Sequence, residues 1–353
     1  MTASDGLIPA PGADEAAGQP GLTGGRSVGG RTPRTGFRHA LAPLLEVRGL
    51  ARWMVWIGLG LVLFFLVLAI FAPQIAPYNW NQYCARLVHG ACVGRFPKQA
   101  APSGAHWFGT TVQSEDVLSR VVFGAQTAIE VVVLAVVFSV CIGVPLGLLA
   151  GYVGGWIDRV LVLIMDALFA FPYLLLAIAI AFLLENKIGG GVMTAAIAIT
   201  VVYVPQYFRV VRNSVITVRE ELYVEAARAL GAKPFTVVTR YVFLNVIQTV
   251  PVVASLNAAD AILTLAGLSF LGIGLDPTSQ AQWGYDISRA ISDAQAGYWW
   301  TGLFPGLALI LLVTGLTMVG EGLNDTLNPV LRRRVFRRVV LPARPGADGG
   351  GGT

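Results

Sequence analysis

Six stretches of this chain are almost free of charge, and each is long enough to cross a membrane. They span residues 53–71, 128–150, 160–184, 192–208, 246–270 and 303–319. A helix of about 20 apolar residues crosses the hydrocarbon core of a bilayer. Only 13% of the 353 residues are charged and the mean hydropathy is +0.66, whereas a soluble domain carries roughly a quarter charged residues. The sequence therefore predicts an all-α integral membrane protein with six transmembrane helices.

Lysine and arginine are distributed unevenly between the loops that join these segments. If the N-terminus is cytoplasmic, 19 of the 25 basic residues lie on the cytoplasmic side, as the positive-inside rule requires. The external ones are then Arg86, Arg95, Lys98, Arg120, Lys187 and Arg289. Both termini are expected to be cytoplasmic, which agrees with an even number of spans. The net charge of +5 is thus explained by topology, and no aromatic-basic module indicates nucleic-acid binding.

The rest of the chain divides around these spans. Residues 1–45 are rich in Gly, Ala, Pro, Ser and Thr, and such a composition predicts a disordered tail, here cytoplasmic. An N-terminal transmembrane helix is expected within 46–76, followed by an extracytoplasmic segment over 77–125. A core of five helices is expected over 126–325, with a cytoplasmic loop at 213–240, and a basic cytoplasmic tail over 326–353.

The extracytoplasmic segment contains Cys84 and Cys92. Thiols outside the membrane meet an oxidising compartment, so a disulfide that closes a small hairpin is predicted; the alternative is two unpaired thiols in an irregular loop. Cys141 lies within a span and is expected to be a packing residue. His106 has no second metal ligand at a useful spacing, so we expect a solvated loop histidine and no metal site.

The sequence lacks the motifs of several large enzyme classes. It contains no G-x-x-x-x-G-K-[ST] phosphate loop, no H-E-x-x-H and no G-x-S-x-G. The chain is therefore expected to catalyse no covalent chemistry and to bind no cofactor of its own. If it moves a solute against a gradient, another protein must supply the energy.

One polar loop, "REELYVEAARALGAKPFTVVTRYVFLN", separates two apolar segments. Four residues at helical spacing predict a short helix with one apolar face: Tyr223, Ala226, Ala227 and Leu230. Gly231 is expected to end this helix and Pro234 to begin the next one. The loop is either an ordinary connection or a docking site. Small residues favour docking, because Ala226, Ala227 and Gly231 let another protein approach the backbone closely.

Within this loop, "EAARALG" resembles the E-A-A-x-x-x-G motif of the membrane subunits of binding-protein-dependent ABC importers. Further segments resemble the same family in the expected order, and the likeness covers about residues 45–335. They are "HWFGT", "DVLSRVVFGAQTAI", "GLLAGYVGGWIDR", "DALFAFPYLLLAIAIA", "PQYFRVVRNSV", "AGLSFLGIGLDP", "QWGYDISRA" and "FPGLALILLVTGLTMVGEGLNDTLNPVLR". The chain is most similar to the C-type subunit of the dipeptide, oligopeptide and nickel permeases.

This resemblance implies a type I permease fold in a bacterial inner membrane, with a cytoplasmic coupling helix. It also implies a second homologous permease subunit, one or two ABC ATPase subunits that use ATP and magnesium, and an extracytoplasmic solute-binding protein. The residues expected to couple to the ATPase are Tyr223, Glu225, Ala226, Ala227, Leu230 and Gly231.

The expected cargo is peptides, because the most similar permeases carry di- and oligopeptides. Nickel, haem or another small solute is the alternative within the same class. A stand-alone channel or secondary transporter would also lack a nucleotide site, but it would not need the docking loop. An accessory or sensory subunit with a degraded pore is a third alternative.

The sequence departs from the family at several positions. A D-x-x-G-R-D pattern usual after "FGT" reads "TVQSED" here, and only Asp116 keeps the pattern. Leu163 replaces an arginine three residues before Asp166, and Leu265 replaces a glutamate. We expect these changes to alter the external gate or the contact with the binding protein.

Three polar residues lie inside predicted spans: Asp166, Asn257 and Asp260. A charge at the bilayer centre costs about 2.5–3.5 kcal/mol on insertion scales, so such residues normally face a bundle interior or a water-filled cavity. One interpretation is that they line the translocation path, with Asp260 contacting the amino terminus or backbone of a passing peptide. The alternative is a hydrogen bond to a neighbouring helix.

Overall fold

The computed structural model describes residues 50–88, 91–276 and 279–327, and these residues are mostly helical. The expected tail over 1–45 and nearly all of the tail over 326–353 lie outside them. The first half of the described chain contains, in order, α1 (Leu50–Ile70), α2 (Ala72–Ile75), β1 (Cys84–Val88), β2 (Ala91–Arg95), α3 (Val117–Val153), α4 (Gly155–Phe169) and α5 (Tyr173–Ile188).

The second half begins with α6 (Val192–Arg219) and the short α7 (Leu222–Ala229). A continuous helical run follows, made of α8 (Pro234–Thr236), a π-helical segment (Val237–Val242), α9 (Phe243–Val246), a 3-10 turn (Ile247–Thr249) and α10 (Val250–Phe270). The last two helices are α11 (Trp283–Gln295) and α12 (Trp300–Leu327).

Five of the helical runs in the described residues are long and apolar enough to cross a membrane, and a bent pair makes a sixth. The bent pair is α4 and α5, which meet at an angle of 95°. Proline cannot continue the helix and restricts the residue before it, which explains a break at Pro172. The expected third span over 160–184 is therefore two helices rather than one, and the six-span architecture holds when the pair counts as a single span.

Helices α3 and α6 pack closely because three glycines of α3 face α6. A Cβ atom added at Gly143 would lie 2.7 Å from Cβ of Tyr207, and one added at Gly147 would lie 2.9 Å from Cβ of Val211. The third glycine, Gly151, faces α6 in the same way. Glycines four residues apart allow this backbone approach between membrane helices.

Helix α12 packs against α1, α10 and α11. Its contact with α1 also depends on glycine, since a Cβ atom added at Gly58 would lie 2.8 Å from the carbonyl oxygen of Gly315. Leu265 of α10 is buried in the apolar core.

Strands β1 and β2 form an antiparallel hairpin in the expected extracytoplasmic segment. The register pairs Cys84 with Arg95 and Leu87 with Cys92. Both cysteines are free thiols in the structure; burial and the hydrogen bond with Cys92 raise the pKa of Cys84 to about 11. The disulfide stays a prediction. Cys141 was expected to be a packing residue, and this was wrong, because its side chain is exposed on α3.

Candidate functional site

The polar loop between α6 and α10 forms a helix that ends as its sequence predicts. Gly231 adopts a left-handed conformation with φ +85°. Its N–H donates to the carbonyl oxygen of Arg228 at 2.9 Å, and the N–H of Ala232 donates to that of Ala227 at 3.0 Å. This pair of hydrogen bonds defines a Schellman motif. Pro234 then occupies the first position of α8, as expected.

The residues of the predicted apolar face of α7 are divided between its inner and outer sides. Val224 and Ala227 are buried, and Val224 belongs to the same apolar cluster as Val237 and Val242 of the π-helical segment. Tyr223 and Leu230 point outward instead, and Leu230 is 88% exposed. Ala227 of the predicted face is therefore buried and its other three residues are exposed, because the contact with the next helix selects Val224.

The outward side of this loop is apolar although nothing covers it in the structure. Leu222 is 80% exposed, and Phe235 of α8 is 78% exposed. Ala226 and Glu225 are exposed beside them. An exposed group of large apolar side chains on a short helix is typical of a surface that binds another protein.

One ion pair and a hydrogen bond hold the end of α6, which leads into this loop, against α4 and the end of α3. Arg212 donates from Nη2 to Oδ2 of Asp158 at 2.7 Å, and its Nε donates to the other carboxylate oxygen. Arg219 donates to the carbonyl oxygen of Gly151 at 2.8 Å. Arg228 of α7 stacks over the ring of Tyr152 at 5.3 Å. A force on α7 would therefore be transmitted to α3, α4 and α6 together.

A cavity of about 380 Å³ lies where α4 and α5 bend away from α6 and α10. Its wall includes the aromatic side chains of Phe171, Tyr173 and Tyr203 and the polar side chains of Gln206 and Asp260. Asp260 is exposed on the surface of the chain. The structure thus brings Asp260 to a space large enough for part of a small solute.

The other two predicted polar residues lie elsewhere. Asp166 forms an ion pair with Nη2 of Arg209 at 2.7 Å, so the arginine of α6 replaces the partner missing at Leu163. Asn257 is buried at the contact of α10 with α6, where it lies against Tyr207. The structure does not bring Asn257 to the cavity, and the role of all three residues in a path stays a prediction.

Comparison with known proteins decides the family. The family described as "Binding-protein-dependent transport system inner membrane component" matches residues 143–333, which is more than half of the chain. The chain belongs to this family. Residues 50–87 also match the N-terminal transmembrane domain of oligopeptide transport permease C, which confirms the resemblance to C-type subunits.

The relatives of this transport component include two peptide permeases. The chain is 36% identical to the dipeptide transport system permease protein DppC of Alkalihalophilus pseudofirmus over 276 residues, covering 78% of this chain and 86% of the relative. It is 37% identical to the glutathione transport system permease protein GsiD of Shigella flexneri over 273 residues, covering 77% and 84%. A structure of the MetNI methionine ABC transporter is 18% identical, with a TM-score of 0.49 over 59% of this chain and 97% of that one.

The start of α3 and helix α11 contain a buried charge cluster that sequence reasoning missed. Arg120 is 2% exposed. Its guanidinium donates from Nε to Oδ1 of Asp286 at 2.8 Å, and its Nη1 lies 3.1 Å from Oε1 of Glu115. Burial raises the pKa of both carboxyl groups, and Arg120 opposes the rise. The cluster joins the segment before α3 to α11, which is far away in the sequence.

His106 lies beside this cluster and was wrongly expected to be solvated. It is buried, and its Nδ1 lies 2.9 Å from Oδ1 of Asp116. Its ring packs against Tyr78 and Phe96. Asp116 also caps α3 by accepting a hydrogen bond from the N–H of Ser119. The "TVQSED" segment that departs from the family pattern therefore supplies structural contacts through its two acidic residues.

Proposed function

We propose that this chain is a permease subunit of an ATP-driven ABC importer that translocates di- or oligopeptides. The observation that carries the proposal is the match to peptide permeases at 36–37% identity over more than three quarters of both chains. The names of these relatives concern dipeptides and glutathione, which is itself a small peptide, and both support a peptide over a metal ion as cargo.

The complex would contain a second homologous permease, one or two ATPase subunits that bind ATP and magnesium, and an extracytoplasmic binding protein that delivers the peptide. The chain itself catalyses nothing in this scheme. Both termini and α7 lie on the cytoplasmic side, in line with the distribution of lysine and arginine. The exposed side of α7 supports its role as the surface on which the ATPase docks.

Movement would pass from the ATPase to the spans through α7. Its inner side is bound to the π-helical segment through Val224, and the end of α6 is held by the ion pair of Arg212 with Asp158. A rigid connection of this kind lets closure of the ATPase subunits move several helices at once. The cavity at the bend between α4 and α5 would then open to one side of the membrane at a time.

Uptake by membrane vesicles tests the proposal. The peptide trialanine, carrying a radiolabel, is supplied with the binding protein to vesicles that contain the complete complex, and uptake is compared with vesicles that lack this chain. We expect ATP-dependent accumulation only when the chain is present. Equal uptake without the chain would contradict the proposal and favour an accessory role.

Variants of α7 test the coupling surface separately. Leu230→Gln changes a side chain that is almost fully exposed, so the fold is preserved while ATPase docking is weakened. We expect uptake to fall at least about tenfold, the effect of losing about 1.4 kcal/mol of binding, and the ATPase to be lost on co-purification. Trp156→Gln, a similar change at an exposed position outside the loop, is the control. Unchanged uptake and co-purification of Leu230→Gln would exclude α7 as the docking surface.

A further inference from the structure

The cavity between the α4–α5 bend, α6 and α10 has one formal charge in its wall, that of Asp260. In the part of the chain that the structure describes, the Asp260 carboxylate makes no hydrogen bond and no ion pair. Asp166 of α4 is already neutralised by Arg209. The wall of the cavity therefore carries one uncompensated negative charge.

This carboxylate is not needed to hold the helices together. The backbone carbonyl of Asp260 accepts a hydrogen bond from Oγ1 of Thr264 at 2.9 Å. Thr264 in turn lies 3.0 Å from the hydroxyl of Tyr203 on α6. Asn257 and Tyr207 fill the same helix contact one turn earlier. Other residues thus fix α10 on α6, and the Asp260 side chain is left for the cavity.

An unpaired carboxylate within a membrane span cannot face lipid without a large penalty. It is tolerated where water or a polar ligand reaches it. The cavity supplies that access, and its volume of about 380 Å³ exceeds by more than tenfold the roughly 30 Å³ that one water molecule occupies in the liquid. A hydrated cation or the charged end of a peptide fits this space.

The remaining wall suits a cation rather than a neutral amide. Phe171 and Tyr173 present exposed aromatic rings, and aromatic faces attract ammonium and guanidinium groups. The rim already shows this chemistry, because the guanidinium of Arg209 stacks over the ring of Phe169 at 4.1 Å. A carboxylate together with aromatic rings is a common way of binding an ammonium group.

We propose that Asp260, with the rings of Phe171 and Tyr173, binds the positively charged amino group of the cargo in the translocation path. The inference rests on the proposed function, because it makes Asp260 the residue that selects peptides with a free amino terminus. The amide of Gln206 lies in the same wall and is available to the first peptide bond. An N-terminally blocked peptide would lose the ion pair.

A charged-reagent assay tests the cavity without knowledge of the cargo. Leu263 lines the cavity three residues after Asp260, so the two side chains are helical neighbours. Leu263→Cys is made in the complete complex after serine replaces the three native cysteines. Labelling rates are measured with methanethiosulfonate reagents that carry a trimethylammonium or a sulfonate group, and each rate is divided by the rate with free cysteine.

We expect the cationic reagent to be favoured by at least about fivefold, as a nearby unscreened charge requires. Asp260→Asn should abolish the preference. Asp325→Asn, the same change at an exposed position at the far end of α12, should preserve it. Equal normalised rates for the two reagents in Leu263→Cys with Asp260 intact, or no labelling by either reagent, would overturn the inference.

Uptake of trialanine and of N-acetyl-trialanine separates this inference from the proposed function. We expect faster uptake of the free peptide, and a loss of that difference in Asp260→Asn. Equal uptake of both peptides by the wild type would overturn amino-group selection and leave the importer intact. Uptake of neither peptide would contradict the proposed function, and the labelling ratio would still decide whether the cavity selects cations.

Discussion

Substitution of Gly147 by alanine is the sharpest test of how α3 and α6 are held together. The new Cβ atom would lie 2.8 Å from the carbonyl oxygen of Phe208 and 2.9 Å from Cβ of Val211. Carbon atoms in optimal contact are about 3.5–4.0 Å apart, so the helices must separate by on the order of 1 Å. One of the close partners is backbone, and rotation of a side chain cannot relieve that contact.

The expected loss follows from this overpacking. Extra methyl groups in a well-packed core cost about 1–3 kcal/mol. Alanine also gains helix propensity over glycine, by up to about 1 kcal/mol, and this gain must be removed from the comparison. Gly60→Ala in α1 provides the correction, because an added Cβ meets nothing within 4 Å there. We expect Gly147→Ala to be less stable than Gly60→Ala by about 1–3 kcal/mol.

The assay is unfolding of the purified chain in detergent micelles by added sodium dodecyl sulfate, followed by circular dichroism. Free energies of unfolding are compared between the two variants at one micelle composition. Gly143→Ala and Gly151→Ala should behave like Gly147→Ala, because their added Cβ atoms also meet α6 within 3.0 Å. If Gly147→Ala is as stable as Gly60→Ala, the close packing of α3 on α6 is refuted.

Three further predictions concern the buried charge cluster and the β1–β2 hairpin. Arg120→Met leaves two buried carboxyl groups without their cation and should destabilise the chain by about 3–5 kcal/mol in the same assay; a loss below about 1 kcal/mol would contradict the buried ion pairs with Glu115 and Asp286. Burial raises the pKa of the Glu115 carboxyl group above 4.5 in the folded chain. The protonated carboxyl group therefore stabilises the folded state fully below about pH 4.5, and this contribution is lost as the pH rises through the pKa of the folded state. Between pH 4.5 and 7.5 the wild type should therefore lose stability relative to Glu115→Gln, and parallel pH profiles would argue against the shift. Finally, if Cys84 and Cys92 form the predicted disulfide, alkylation under denaturing conditions should modify two fewer thiols before reduction than after it; equal labelling would exclude the bond.

The loop around α7 could be predicted from sequence because its signals are local. A glycine at the C′ position and a proline three residues later define the end of one helix and the start of the next. The direction of the helix could not be predicted in the same way. Whether Val224 or Tyr223 turns inward depends on Val237 and Val242, which reach α7 only when the chain turns back.

Two errors at single residues have the same origin. His106 looked like a solvated loop residue, but Asp116 and two aromatic rings bury it. Cys141 lies in an apolar span, and sequence cannot say which side of a span faces outward. The sequence shows Pro172 within the third span, but the angle between the two helices that meet there depends on their contacts with other helices.

Some of the missed information was present in the sequence. Gly143, Gly147 and Gly151 follow one another at intervals of four residues, which predicts a close helix contact in a membrane. The spacing does not identify the partner helix, and only the structure shows that it is α6. The cluster of Arg120, Glu115 and Asp286 has a similar limit, because its carboxylate on α11 is 166 residues from the arginine.

The two aspartates of the spans illustrate why a site in a membrane protein needs the structure. Sequence assigns Asp166 and Asp260 the same insertion penalty and no partner. Folding brings Arg209, 43 residues away along the chain, to within 2.7 Å of Asp166. This ion pair offsets the cost of placing the Asp166 charge in the membrane. Asp260 receives no such cation from the described part of the chain, so its penalty must be offset by water or by something that enters the cavity. The residue that folding leaves unpaired is therefore the better candidate for binding cargo.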